Sequence, residues 1–216
     1  MDDLAAMMPQ LYFIVQGIGV TLKYSMSAVC IGLIIGTLLA ICKMSDSKSL
    51  RLFAHAYTSI FRGTPLLIQL TIIYFGLPGL LGIKMSVFTA GTLAFSMNSG
   101  AYVSEIIRAG INSVDKGQTE AAKALGIPPV LRMKDIILPQ AIRNILPALV
   151  NELINLVKES ALISVIGGED IMRRAQLISA ETYSFFTPML TAAATYYVLV
   201  LVISSFAMML EKRLAL

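Results

Sequence analysis

The sequence predicts an all-α integral membrane protein with five helical spans and a small polar helical unit between the third and the fourth. Three observations carry this expectation. Of 216 residues, 56% are hydrophobic and 14% charged, with a mean hydropathy of +0.77, whereas an average soluble domain is roughly half apolar and a quarter charged. At about 20 apolar residues per span plus loops, the length suits five or six helices in one domain, residues 1–216. One long polar interval, residues 115–139, divides the apolar runs.

The first span is expected at 11–42. Asp2 and Asp3 precede it, and no Lys or Arg comes before Lys23. That is the wrong charge for a signal peptide, and the apolar run is too long for one, so the segment is expected to be retained. Gly32 and Gly36 form a small-xxx-small pair that lets another helix approach. Twelve helical residues between Cys30 and Cys42 separate them by about 18 Å, beyond disulfide reach.

The second span is expected at 57–77, entered through Phe61-Arg62-Gly63-Thr64-Pro65 and ended by the turn-forming Gly76-Leu77-Pro78-Gly79. The third is expected at 86–107, the fourth at 139–166 with a kink at Pro147, and the fifth at 188–210. Residues 167–187 hold Glu169, Asp170, Arg173, Arg174, Gln176 and Glu181 and are expected to form a solvated outer loop.

The polar interval has the signals of a folded unit. Asp115 can cap a helix of about ten residues, with Gln118 completing a capping box, and Gly126 before Pro128 and Pro129 stops it. Residues 127–138 make a second short element, and Pro139 suits the first turn of the next helix. Twelve of the 17 basic residues fall at ends on one side, among them Lys43, Arg62, Lys116, Arg143, Lys212 and Arg213. Lys84, Arg173 and Arg174 fall on the other. The positive-inside rule then places the N-terminus outside, and the polar unit and C-terminus in the cytoplasm.

Polar groups at membrane depth are costly and mark function. At about 100° per residue, Asn151, Glu152, Asn155, Lys158 and Glu159 share an arc of about 120° on the fourth span. Asn98, Tyr102 and Glu105 share a face of the third, and Gln69 lies near mid-depth on the second. These groups can converge on a pathway. The plainer reading pairs Lys158 with a glutamate between packed helices, and Glu105 with Arg108 one turn on.

The remaining classes are poorly served. The basic residues lie in short loops with no aromatic and basic stripe, so no nucleic acid is expected. There is no phosphate loop, no hydrolase elbow and no zinc motif, and His55 is the one histidine. No catalytic residue, metal or cofactor is expected, and any ATP that drives the protein is hydrolysed by a separate subunit.

Glu120-Ala121-Ala122, three residues, Gly126, nine residues, Ile136, one residue, then Leu138-Pro139 resembles the cytoplasmic EAA loop of the membrane subunits of binding-protein-dependent ABC importers. That resemblance implies a coupling element docked in a groove of an ATP-binding cassette subunit, through Glu120, Ala121, Ala122, Leu125 and Gly126. Phe61 to Gln69, Ala101 to Glu105, Arg108 to Ile111 and Gly117 to Glu120 resemble the polar amino-acid uptake permeases of the histidine, glutamine and arginine type, over nearly the whole chain, 16–212.

The resemblance implies a five-helix subunit of the bacterial inner membrane, dimerised with itself or with a sister permease. Two ATPases would lie below and an extracytoplasmic amino-acid-binding protein above, with alternating access as the mechanism. It also implies an intramembrane site for a polar amino acid. Lys158 can meet the substrate carboxylate, Glu152 or Glu159 the ammonium, and Asn98, Asn151 and Asn155 can replace lost water. The family often has Lys-Asp-Thr where this chain has Lys158-Glu159-Ser160, a longer acid. An ion-driven secondary transporter or small channel, and a scaffold with no pathway, are the rival classes. Both leave the complete loop motif unexplained.

Overall fold

The computed structural model describes residues 2–215, with side chains for 8–209, and every element among them is helical. Lys212 and Arg213, counted above toward the cytoplasmic side, lie outside the described side chains, as do Asp2 and Asp3.

Helix α1 (Asp2–Val15) and helix α2 (Ile18–Met44) meet at Gln16-Gly17. A Cβ on Gly17 would stand 2.5 Å from the Ile171 backbone nitrogen, so only glycine admits the segment that presses there. Helix α3 (Lys48–Gly63) and helix α4 (Leu66–Leu81) are bent by 102° to each other, so residues 57–77 are not one straight span. Pro65 has no N–H to continue the helix and holds Thr64 extended, at φ −123 and ψ 146. The expected stop at Gly76-Leu77-Pro78-Gly79 does not form. A π turn over Ile72–Gly76 carries the helix through Pro78 to Gly82, whose φ of 65 ends it.

Helix α5 (Val87–Asn112) is capped by the Ser86 hydroxyl, which accepts from the Thr89 N–H at 3.0 Å. Helix α6 (Lys116–Ala124) is the first helix of the polar unit. The expected second element is no separate body: a turn at Pro129–Leu131 and a π stretch at Arg132–Ile137 run on into helix α7 (Leu138–Glu159). A 3-10 segment, Ser160–Ile166, then leads to Gly167. Residues 167–187 are not a solvated loop. They contain helix α8 (Ile171–Thr182), capped by Asp170, which buries Ile171, Ala175 and Ile178 on one face. Helix α9 (Phe186–Ala215) completes the chain.

The α2–α5 crossing is the most extensive packing in the molecule. A Cβ on Gly36 would lie 2.6 Å from the Val103 side chain, and one on Gly32 would lie 2.9 Å from Ser99. The small-xxx-small pair therefore does what its spacing suggests. Tyr24, Ala28, Leu66, Phe95, Leu156 and Ile163 form a core between α2, α4, α5 and the end of α7.

Among the described residues, Met8–Met44 and Phe186–Met209 are long and apolar enough to cross a membrane, and the bent α3–α4 pair passes if taken as one span. Helices α5 and α7 have 26 and 22 residues, lengths that reach across about 30 Å of hydrocarbon. Their polar residues keep them out of that set.

Candidate functional site

The eight polar residues expected along a pathway fall into four places. Gln69 and Asn98 come together at the α3–α4 bend. Gln69 Nε2 donates to the carbonyls of Phe61 (2.9 Å) and Thr64 (3.1 Å) and lies 2.8 Å from the Thr64 hydroxyl. Asn98 Nδ2 donates to Phe61 O and to Gln69 Oε1, each at 3.0 Å. These carbonyls are among those that lost helical partners where Pro65 broke the ladder, and a buried carbonyl without a donor costs about 1–3 kcal/mol. The two amides therefore hold the bend in α3–α4 and tie it to α5.

Asn151, Asn155, Lys158 and Glu159 lie exposed along α7 as the helical period requires. None of the four has a side-chain hydrogen bond or ion pair among the described residues, and Lys158 is not paired with a glutamate. Asn155, Lys158 and Glu159 line a cavity of about 390 Å³ with Ala161 and Leu162. A cation and a carboxylate are thus held side by side on one wall, with an amide one turn away and neither charge spent on the fold. Glu152, by contrast, turns inward and is 8% exposed.

Tyr102 lies elsewhere, beneath the Arg62 guanidinium, 5.2 Å from its ring centroid. Both line a larger cavity of about 750 Å³ between the last turns of α5 and the first turns of α7. Glu105 on its wall accepts from Arg108 at 2.7 Å, as its spacing suggests, and also pairs with Lys43. Lys43 lies with its side chain 1% exposed and donates to the Ser104 hydroxyl at 3.0 Å. The sequence counts it among the basic residues at the cytoplasmic ends of the spans. Its place directly after an apolar run, opposite Glu105, was the available signal.

The polar unit is ordered at both ends. Asp115 Oδ1 accepts from the Gly117 N–H at 2.6 Å. The reciprocal half of the capping box is absent, because Gln118 Oε1 accepts instead from Gln140 at 3.5 Å. At the other end, Gly126 N donates to Lys123 O and Ile127 N to Ala122 O, with Gly126 at φ +71. That is the Schellman arrangement, which satisfies the last carbonyls and needs a left-handed residue. Glu120 and Ala121 face outward and Leu125 is 78% exposed, while Ala122 is 2% exposed and packs into its own chain. Asn144 of α7 donates to the Ser113 hydroxyl at 2.8 Å and fixes the unit's base to α5.

Residues 32–216 match the family model of the binding-protein-dependent transport system inner membrane component. The chain belongs to that family. A putative glutamine transport system permease protein of Rickettsia conorii is 66% identical over 206 residues, covering 95% of this chain and 94% of its own. The arginine transport system permease protein of Bacillus subtilis is 52% identical over 212 residues, covering 98% and 97%. Among solved structures, a chain of an amino acid ABC transporter crystallised with histidines has a TM-score of 0.92 at 45% identity, covering 97% of both chains. The bent α3–α4 pair, the α2–α5 crossing and the capped polar unit are thus parts of a binding-protein-dependent permease fold.

Proposed function

We propose that the chain is the membrane subunit of an ATP-driven importer for a polar amino acid in the inner membrane of a bacterium. One observation carries the substrate class: Lys158 and Glu159 stand unspent on one cavity wall beside Asn155. A zwitterion entering a low-dielectric region needs both its charges matched, and this wall offers a partner for each. Relatives named for glutamine and arginine transport support the same class.

Five spans from a single subunit are too few to enclose a pathway, so a second permease, identical or sister, completes it. The capped unit at 115–139 faces the cytoplasm and meets an ATP-binding cassette subunit through Glu120, Ala121 and Leu125. Ala122 and Gly126 hold that surface in position. An amino-acid-binding protein delivers substrate from outside, and closure of the ATPases moves the unit to drive alternating access.

Lys158→Met tests the site in the assembled complex. Because Lys158 has no bond to the rest of the fold among the described residues, its loss should leave assembly intact. An unpaired substrate carboxylate should cut uptake by at least about tenfold. Unchanged uptake would remove Lys158 from the site.

A further inference from the structure

The larger cavity, of about 750 Å³, shares no lining residue with the Lys158 cavity, although Tyr102, expected along the pathway, lies on its wall. Its charged walls are Arg62, Glu105 and Arg143, and Ile106, Ala109 and Pro147 supply apolar surface. Its single carboxylate, Glu105, is already shared by Lys43 and Arg108. Arg62 lies over the face of Tyr102, and neither Arg62 nor Arg143 has an ion pair or side-chain hydrogen bond among the described residues. Two guanidinium forks therefore border a partly apolar cavity with no anion to meet.

We propose that this cavity takes the phosphate group of an anionic phospholipid. The guanidinium fork matches phosphate oxygens in two-pronged geometry. The volume is that of a small-ligand site, on the order of 300–1,000 Å³. A zwitterionic or cationic amino acid is disfavoured because its ammonium would need a free carboxylate, and Glu105 already carries two cations. A phosphodiester brings one negative charge and an apolar tail, which suits guanidinium groups above an apolar wall. Arg143 is five residues past the start of α7, beside the polar unit, which the cytoplasmic placement proposed above would set near the headgroups of that leaflet. Basic pockets between helices on the cytoplasmic side are suited to such headgroups. Occupancy there would brace α5 against α7 at the root of the polar unit. The choice of leaflet rests on the cytoplasmic placement proposed above.

The test is native mass spectrometry of the detergent-purified complex after exchange into phosphatidylglycerol or phosphatidylcholine. Phosphatidylglycerol should stay bound at higher collision energy than phosphatidylcholine. Arg62→Gln with Arg143→Gln should lower its retention by about thirtyfold, near the combined effect of two surface basic residues. Millimolar inorganic phosphate should not displace it. Arg143→Gln alone, at an exposed side chain, serves if the double variant fails to assemble, and should lower retention by about fivefold. Equal retention of the two lipids, or retention unchanged in the variants, would overturn the site. Displacement by phosphate alone would overturn the lipid as its source. The leaflet is read separately: Lys116→Cys should be labelled only from the cytoplasmic side, and labelling from outside would overturn the placement whatever the lipid result.

Discussion

Asp170 joins two elements through one carboxylate. Its Oδ1 accepts from the Arg173 N–H at 2.9 Å and so caps α8, and its Oδ2 accepts from the Tyr196 hydroxyl of α9 at 2.8 Å. Next to it, Ile171 presses on Gly17 between α1 and α2. Burial pushes the Asp170 carboxyl above its ordinary range, and the bonds from Arg173 and Tyr196 pull it back. Asp170→Ala removes the cap, at about 1 kcal/mol, and leaves the Tyr196 hydroxyl buried without its acceptor, at about 1–3 kcal/mol. Tyr196→Phe takes the donor from Asp170 Oδ2, at about 1–3 kcal/mol, but keeps the cap on α8, so it should cost less by about the cap. Thermal unfolding in detergent, followed by circular dichroism, should rank Asp170→Ala below Tyr196→Phe and wild type. Equal stability of the two variants would contradict the account. The sequence placed Asp170 in a solvated loop because its charged neighbours outweighed the spacing of Ile171, Ala175 and Ile178, which is that of a buried helical face. Gln69 and Asn98 show a related ambiguity: a buried amide looks the same in sequence whether it meets a substrate or a freed carbonyl. The helical period did place Asn151, Asn155, Lys158 and Glu159 together, since a stripe on one helix needs no tertiary information.

Among the elements, the polar unit was the most legible, because caps are local chemistry. Asp115 directly precedes the helix as its cap, and Gly126 follows the capping residue Leu125 at its end. The break at Thr64-Pro65 was visible as punctuation but read as an entrance to a span. Its 102° angle depends on Gln69 and Asn98 bonding across 29 residues, which no local pattern encodes. The π turns at Ile72–Gly76 and Arg132–Ile137 had no signal beyond the prolines near them. A test of the polar unit turns on Gly126. No atom lies within 4 Å of where its Cβ would stand, so space is free, but φ +71 is strained for any side chain, by roughly 1 kcal/mol or more. Gly126→Asp should therefore leave insertion and assembly of the spans intact while misdirecting Leu125 and Ala121. The purified complex should lose its ATPase subunit or hydrolyse ATP without uptake. Full uptake with the ATPase retained would remove the coupling role from this unit.

At the scale of the whole molecule, composition established the membrane class, and the exposed apolar faces agree with it. Ile34, Leu38 and Ile41 on α2 and Tyr197, Val198 and Val202 on α9 stand clear of the core, surface that a lone chain in water would bury. The same fold leaves the Lys158 cavity open on one side of a single subunit, which fits a pathway closed by a second permease. The number of spans was less legible than their positions. Helices α5 and α7 carry polar residues along their lengths, so by length and apolarity two spans, or three with the bent pair, qualify among the described residues, against the five expected. On the proposed function, an external ATPase, and no ion gradient, powers amino-acid movement through this chain. The most direct test is uptake of radiolabelled glutamine and arginine by proteoliposomes holding the permease with its copurified ATPase and binding protein. Uptake of at least one of the two should require ATP on the ATPase side and persist when ionophores collapse all ion gradients. Uptake that proceeds without ATP and stops when the gradients are dissipated would contradict the account.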